Sequence, residues 1–567
     1  MPVAPPRRWW LPLLWLLMIV SLAAGLGLRQ PQPPDEPRFV LAARAMVDSG
    51  QWLLPHRGRE LYAEKPPVFM WLQAAAHQAV GSWQASFLLP SLLAALLTLW
   101  LVADLARRLG SPRHARYALA ALFCTLQFAL MAKRAQIDMV LVALTTASLW
   151  GLLRHLAERP NLPALWLAGI AAGVGTVTKG VGFLPLLLVL PWLGWRVYLR
   201  RRGQPVPGPH PASLLWLLPA FLLGLAVWLA PLGWALLHTP DDALRAYAHE
   251  LLFKQTGTRY ANAWHHRQPP WYYLQVMLTL WLPGSLLLPA LVRPWWHRLR
   301  RGDLRLWLLL GWAVLVLAFF SASPGKREVY VLPMLPALVL AAAPLLPALL
   351  RRQAVRRYLF GYSLLLVLAA AALGVVLLAG APWAQAQLAH RALPDTLLPV
   401  LATGLLAFAA AGALLAAVQR VRRAPQLVVA CTGLLWVLYG AVLMPALDPY
   451  ASASALMQRV GQRIGPHAGL ALVAWREQNL LQADRPVREF GFKRPWAEQW
   501  HEAGPWLAQA PGQRWVLVLD KAMSPCVDPA QVVDIGSANG NRWQLVPGTA
   551  WDGACHAERA GASADPD

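Results

Sequence analysis

The sequence predicts an α-helical protein that crosses a membrane many times and carries a small α/β domain after its last span. Three observations predict it. Of 567 residues, 57% are hydrophobic and only 14% charged, whereas an ordinary soluble domain carries roughly 25% charged residues. Apolar runs of the ~20 residues needed to cross the hydrocarbon core recur through residues 1–449, and short arginine clusters separate them. After Pro449 the composition becomes mixed and polar.

Taken in order, the candidate spans are 9–28, 86–106, 115–132, 138–157, 162–178, 181–199, 213–237, 271–292, 304–321, 328–350, 356–380, 396–418 and 425–445, thirteen in all. The first also reads as a cleavable signal segment, because 21–27 is rich in small residues; the later topology is the same either way. Alternate loops carry the arginines: Arg7 and Arg8, then 107–116, 154–159, 196–202, 293–305, 351–357 and 420–423. Lys and Arg are retained on the cytoplasmic side during insertion, so these loops are expected inside, and an odd span count puts the C-terminus outside. The net charge of +24 is therefore a topology signal. It does not form the contiguous basic face that nucleic acid needs, and no nucleic-acid partner is expected. Thirty tryptophans suit the two interfaces of a bilayer.

Two outer segments, 29–85 and 238–270, are too long to be connectors. Their amphipathic stretches, 42–47 and 244–253, could lie along the membrane surface. Residues 450–567 are expected to form the outer α/β domain, with a helix at 453–464 and strands at 470–475, 515–519 and 543–546. The Pro-rich run 204–211 reads as an inner loop. Four cysteines are too few for a disulfide scaffold, and none has metal-ligand spacing. Cys526 and Cys555 lie where disulfides form in many bacteria, and pairing and chance co-occurrence both stay open.

The lysines are the most informative residues. There are seven, and none lies in an arginine-rich loop; Lys65, Lys133, Lys179, Lys254 and Lys326 all fall on the expected outer side. An ammonium is a compact point charge that binds phosphate, so an anionic headgroup is the natural partner; ordinary salt bridges are the plainer alternative. Carboxylates share these loops: Asp35 and Glu36 beside Arg38, Glu64 before Lys65, and Asp138 soon after Lys133 and Arg134. Ionisable groups near bilayer depth are functional candidates. Taken alone, Asp35 reads equally as the start of an amphipathic helix, Asp138 as a carboxylate at the positive end of a helix dipole, and 323–328 as a plain turn.

The order of the motifs carries a resemblance. Asp35-Glu36-Pro37-Arg38, then Ser49-Gly50-Gln51-Trp52-Leu53-Leu54-Pro55-His56, then Tyr62-Ala63-Glu64-Lys65-Pro66-Pro67 resembles the first outer loop of the bacterial lipid A 4-amino-4-deoxy-L-arabinose transferases. These are membrane glycosyltransferases of class C, with protein O-mannosyltransferases as relatives. The similarity continues through Thr178-Lys179-Gly180, through 266–273 and through 323–333. It implies the class C fold and an enzyme that moves a sugar, with inversion, from a polyprenyl-phosphate carrier to lipid A, another envelope glycan or a protein, at the outer face of a bacterial inner membrane. It also implies Asp35 and Asp138 as catalytic carboxylates, and Arg38, Lys65, Lys179, Lys326, Arg327 and Tyr330 as donor or phosphate contacts. Glu64, with His265 or His266, is implied near a site where some relatives hold a divalent metal.

Two other classes compete. A transporter or flippase usually brings internal repeats and charges near the midplane, whereas here the charges outside the arginine clusters collect at the outer helix ends. A polysaccharide ligase or polymerase is expected to have its main loop late in the chain; here the richest loop is the first.

Overall fold

The computed structural model describes residues 10–239, 242–252, 267–391 and 393–555. Among these, eight helices are long and apolar enough to cross a membrane: Trp83–Leu109, Ile137–Glu158, Leu162–Lys179, Pro211–His238, Leu304–Ala322, Gln353–Leu378, Leu397–Gln419 and Val421–Ala451. The chain is a multi-pass membrane protein.

The other five expected spans are bent, broken or short among the described residues. Residues 115–132 become Pro112–Phe123 and Leu126–Ala132, bent by 75° where the Thr125 hydroxyl bonds back to the Ala121 carbonyl (2.9 Å). Residues 271–292 become Tyr272–Leu280 and Gly284–Arg300, bent by 105° across Pro283. Trp10–Ala23 is a short helix, and 181–199 starts as the 3₁₀ turn Leu184–Leu188 before Val189–Arg201. Residues 328–350 break into Glu328–Met334, Leu335–Ala342 and Leu346–Leu349, a segment that contains Pro333, Pro336, Pro344 and Pro347. Apolarity marks these segments for the membrane, but proline lacks the N–H that a continuous helix requires.

Small residues set one close helix contact. Gly173 of Leu162–Lys179 faces Gly224 of Pro211–His238 so closely that a side chain on either glycine would collide with the opposite backbone. At one end of the bundle four of the arginine clusters meet. Arg108 binds Asp104 (2.5 Å) and approaches Glu158 (3.9 Å), Arg305 reaches the Leu109 carbonyl, and Tyr198 donates to the Arg300 carbonyl (2.8 Å).

The first long loop and the C-terminal domain lie against each other. In the loop, the helix Glu36–Ser49 is followed by a two-stranded hairpin, β1 (His56–Arg57) and β2 (Glu60–Leu61), and by the helix Val68–Val80. In the amphipathic stretch 42–47, Ala42, Ala43 and Met46 are buried within the protein, and Phe39 just before it meets Phe69 edge-on at 5.2 Å. In the second long segment, Leu244, Tyr247 and Ala248 of Asp242–His249 pack against Trp228 and Leu232.

The C-terminal domain is a five-stranded sheet of β3 (Gly469–Val473), β4 (Val487–Glu489), β5 (Arg514–Leu519), β6 (Val533–Ala538) and β7 (Asn541–Pro547), in the order β4-β3-β5-β7-β6. Strands β4, β3 and β5 run parallel, and β7 and β6 close the other edge antiparallel. The expected strands appear as β3, β5 and β7, and the expected helix as Ser454–Ile464. The edge strands β4 and β6 are additions to that reading. β4 is only three residues long, and β6 is interrupted by an irregularity between Asp534 and Gly536, so neither shows a clean two-residue alternation. Cys526 and Cys555 are joined as a disulfide.

Candidate active site

A proline-rich approach, Pro31, Pro33 and Pro34, delivers the chain to Asp35, the residue before the helix Glu36–Ser49. The Asp35 carboxylate makes no capping bond to that helix, so it is available for partners from elsewhere. Its Oδ2 accepts from Gln136 Nε2 (2.9 Å) and from Arg327 Nη2 (3.4 Å), and Arg38 Nη1 stands 3.8 Å from Oδ1. The next carboxylate is engaged differently. Glu36 is buried in a two-pronged pair with Arg29 (2.5 and 2.7 Å) and accepts the Gln32 and Ala135 amides (2.9 Å each).

Arg38 links Asp35 to a second group of charges. It lies 3.7 Å from Glu64 and 3.3 Å from Glu477 of the C-terminal domain. Arg57 repeats the pattern, 3.5 Å from Glu64 and 3.2 Å from Glu477, with its guanidinium 3.7 Å above the Phe492 ring. Lys493 approaches Glu64 from the same domain at 3.7 Å. Burial opposes ionisation of Glu64, but Arg57, Arg38, Lys493 and Lys65 outweigh it and hold the carboxyl below its usual range. Burial likewise works against the charge on Arg38, yet the Tyr62 phenol, Glu477, Glu64 and Asp35 around it raise its pKa.

A third group lies across from these. Asp138 opens the helix Ile137–Glu158 and pairs with Lys179, whose ammonium sits 5.1 Å from the centre of the Tyr330 ring. Arg327 belongs to both sides: the fields of Asp35 and Asp138 stabilise its charge against burial. Of the residues singled out from sequence, Asp35, Arg38, Glu64, Lys65 and Arg327 therefore share one electrostatic cluster, and Asp138, Lys179 and Tyr330 form a neighbouring one. Lys326 is buried and donates to the Gln268 carbonyl (3.1 Å), tying its turn to the 267–268 segment. Lys133 is also buried, bonded to the Leu22 and Ala24 carbonyls at the end of Trp10–Ala23. Lys133, Lys179 and Lys326 each have a partner inside the protein, since a buried ammonium is costly without acceptors.

Of the expected metal ligands only Glu64 lies among the described residues. Among the described residues no three His, Cys, Asp or Glu side chains are placed to hold a metal ion. Three cations within 3.7 Å of Glu64 make a poor setting for a divalent one. His265 and His266 lie outside the described residues.

Sequence reasoning missed Gln136, Arg57, Glu477 and Lys493. Arg57 was discoverable as a further cation in the first loop. Glu477 was not, because its partners lie 439 and 420 residues away.

Comparison with known proteins agrees with this organisation. A family described as dolichyl-phosphate-mannose-protein mannosyltransferase matches residues 64–234. The undecaprenyl phosphate-α-4-amino-4-deoxy-L-arabinose arabinosyl transferase of Pseudomonas savastanoi pv. phaseolicola is 31% identical over 341 residues, covering 58% of this chain and 60% of the relative. The protein of the same name from Pseudomonas aeruginosa strain LESB58 is 33% identical, covering 54% of each. These alignments span little more than half the length of the relatives. The crystal structure of ArnT from Cupriavidus metallidurans bound to undecaprenyl phosphate superposes with a TM-score of 0.72 at 19% identity, over 96% of this chain and 98% of that one. The resemblance read from the motifs thus holds in sequence, and the expected class C membrane fold with its C-terminal α/β domain is the fold found.

Proposed function

Taking the fold of a membrane glycosyltransferase seen with undecaprenyl phosphate as the premise, we propose that this protein transfers a sugar from a polyprenyl-phosphate carrier to an envelope acceptor at the outer face of the bacterial inner membrane. The observation that carries the reading is Asp35, a carboxylate flanked by Gln136, Arg327 and Arg38 at the end of the bundle that holds the first loop and the C-terminal domain. The arginine-rich end is then cytoplasmic. Names of the relatives make 4-amino-4-deoxy-L-arabinose the first sugar to test, and the resemblance of the first-loop motifs makes lipid A the first acceptor.

In the proposed step an acceptor oxygen attacks the anomeric carbon from the face opposite the carrier. The bond between that carbon and the phosphate oxygen breaks, and the phosphate leaves with the electron pair. Its developing charge needs positioned cations, which Lys65, Arg327 and Lys179 supply in this reading. A hydroxyl acceptor must give up its proton, and Asp35 is the base. A phosphate acceptor is already ionised, and Asp35 then steadies positive charge growing on the sugar. Asp138 holds Lys179 in place through their ion pair. No step is assigned to a metal.

A second reading, transfer to protein hydroxyls, is favoured by the mannosyltransferase match over 64–234. Mass spectrometry of lipid A, envelope polysaccharide and secreted proteins from cells with and without the gene separates the two. Loss of aminoarabinose from lipid A supports the first, loss of a protein-linked hexose supports the second, and unchanged glycans in all three fractions would refute both.

A further inference from the structure

Asp35 is held by a turn that no sequence motif marked. Consecutive carboxylates of the first loop bind consecutive residues of the turn before Ile137–Glu158: Glu36 accepts the Ala135 amide (2.9 Å) and Asp35 accepts the Gln136 side-chain amide (2.9 Å). The turn is anchored from behind as well. Arg29 donates to the Lys133 carbonyl (3.1 Å) while pairing with Glu36, and the Lys133 ammonium reaches the Leu22 and Ala24 carbonyls. Gln136 is itself buried, at 6% exposure.

From this geometry we infer that Gln136 is a positioning residue for Asp35: its amide fixes Oδ2 and thereby presents Oδ1 to the reacting sugar or acceptor. The charged groups facing the carboxylate are Arg327 at 3.4 Å and Arg38 at 3.8 Å; neither distance is that of a strong directional bond. The neutral amide, at 2.9 Å, is the group that sets orientation. It does so without a charge of its own, so the carboxylate is not further neutralised. A side chain positioned in this way acts on the reaction and not on binding, because a carboxylate displaced by ~1 Å can cost ~10²-fold in rate while the carrier phosphate is held by other residues. The inference rests on the proposed glycosyl transfer.

The test uses the purified full-length protein with undecaprenyl phosphate-4-amino-4-deoxy-L-arabinose as donor and lipid A as acceptor, alongside binding of undecaprenyl phosphate alone. Gln136→Met keeps the volume and removes the donor. It is expected to lower kcat by ~10- to 100-fold with KM for the donor and undecaprenyl phosphate affinity within about twofold of wild type. Gln136→Glu supplies the signature that a structural role would not. When the pair takes up one proton the two carboxyls share it, which restores a donor to Asp35; as pH rises both ionise and repel. This variant should therefore show an alkaline fall in kcat that wild type and Gln136→Met lack. Full activity of Gln136→Met, or a Gln136→Glu profile parallel to that of wild type, would overturn the positioning role while leaving the transferase reading standing. A folded wild-type protein that binds no undecaprenyl phosphate and transfers nothing would overturn both.

Discussion

Arg57 of the first loop and Glu477 of the C-terminal domain, 420 residues apart, meet through a 3.2 Å charged hydrogen bond in which both side chains are almost wholly buried. The same Glu477 oxygen accepts from Arg38 (3.3 Å). Domain docking and site geometry therefore share one carboxylate.

Glu477→Gln retains the shape and removes the charge, leaving the buried Arg57 with Glu64, at 3.5 Å, as its one remaining ion-pair partner among the described residues. A loss of about 1.5–3 kcal/mol is expected, the range for hydrogen bonds to charged groups. It should appear as a lower thermal midpoint and faster proteolysis at the junction near 452–454. A midpoint equal to that of wild type would show that the contact contributes nothing to docking.

The Glu64 carboxyl, pulled below its usual range by Arg57, Arg38, Lys493 and Lys65 against the effect of burial, makes docking sensitive to acid. Its folded pKa lies below the unfolded value of about 4.3, so its contribution is complete above that value and is lost as pH falls through the folded pKa. Stability of wild type should thus decline below pH ~4.3 more steeply than that of Glu64→Gln. Parallel acid profiles for the two proteins would refute the assignment.

Asp35→Asn keeps the shape of the side chain and an acceptor for Gln136, so insertion and folding should survive. For a hydroxyl acceptor the loss of a general base is expected to cost about 10²–10⁴-fold in transfer. Near-normal turnover by a folded Asp35→Asn protein in a purified assay would remove Asp35 from the mechanism.

Pairing of Cys526 with Cys555 closes a 29-residue separation, worth ~3–4 kcal/mol in the chain-entropy model. Alkylation of the denatured, unreduced protein should label Cys124 and Cys431 only, and reduction should lower the unfolding midpoint of the C-terminal domain. Labelling of all four cysteines without reductant would contradict the bridge.

Reporter fusions after Arg202 and Arg357 should read cytoplasmic, and one after Tyr450 external, if the arginine-rich end faces inward. An internal signal at Tyr450 would move the proposed site to the wrong leaflet and sink the choice of donor side.

Membrane partition depends on summed transfer free energies over ~20 neighbouring residues, so the apolar runs and the alternating arginines were legible without a structure. The same holds for Ser454–Ile464 and for β3, β5 and β7, whose periodicity is local. Helix continuity was not: 115–132 and 271–292 are apolar enough to read as spans yet bend by 75° and 105°, because apolarity does not report breaks. Motif order singled out Asp35, Arg38, Glu64, Lys65 and Arg327, which folding gathers into one cluster. The residues that hold that cluster, Gln136, Arg57 and Glu477, carry no local signal, since their roles arise from contacts between segments about 100 to more than 400 residues apart. Burial decided the rest. Lys133 and Lys326 look like surface cations in the sequence, but folding removes them from water and nearby carbonyls accept from their donors.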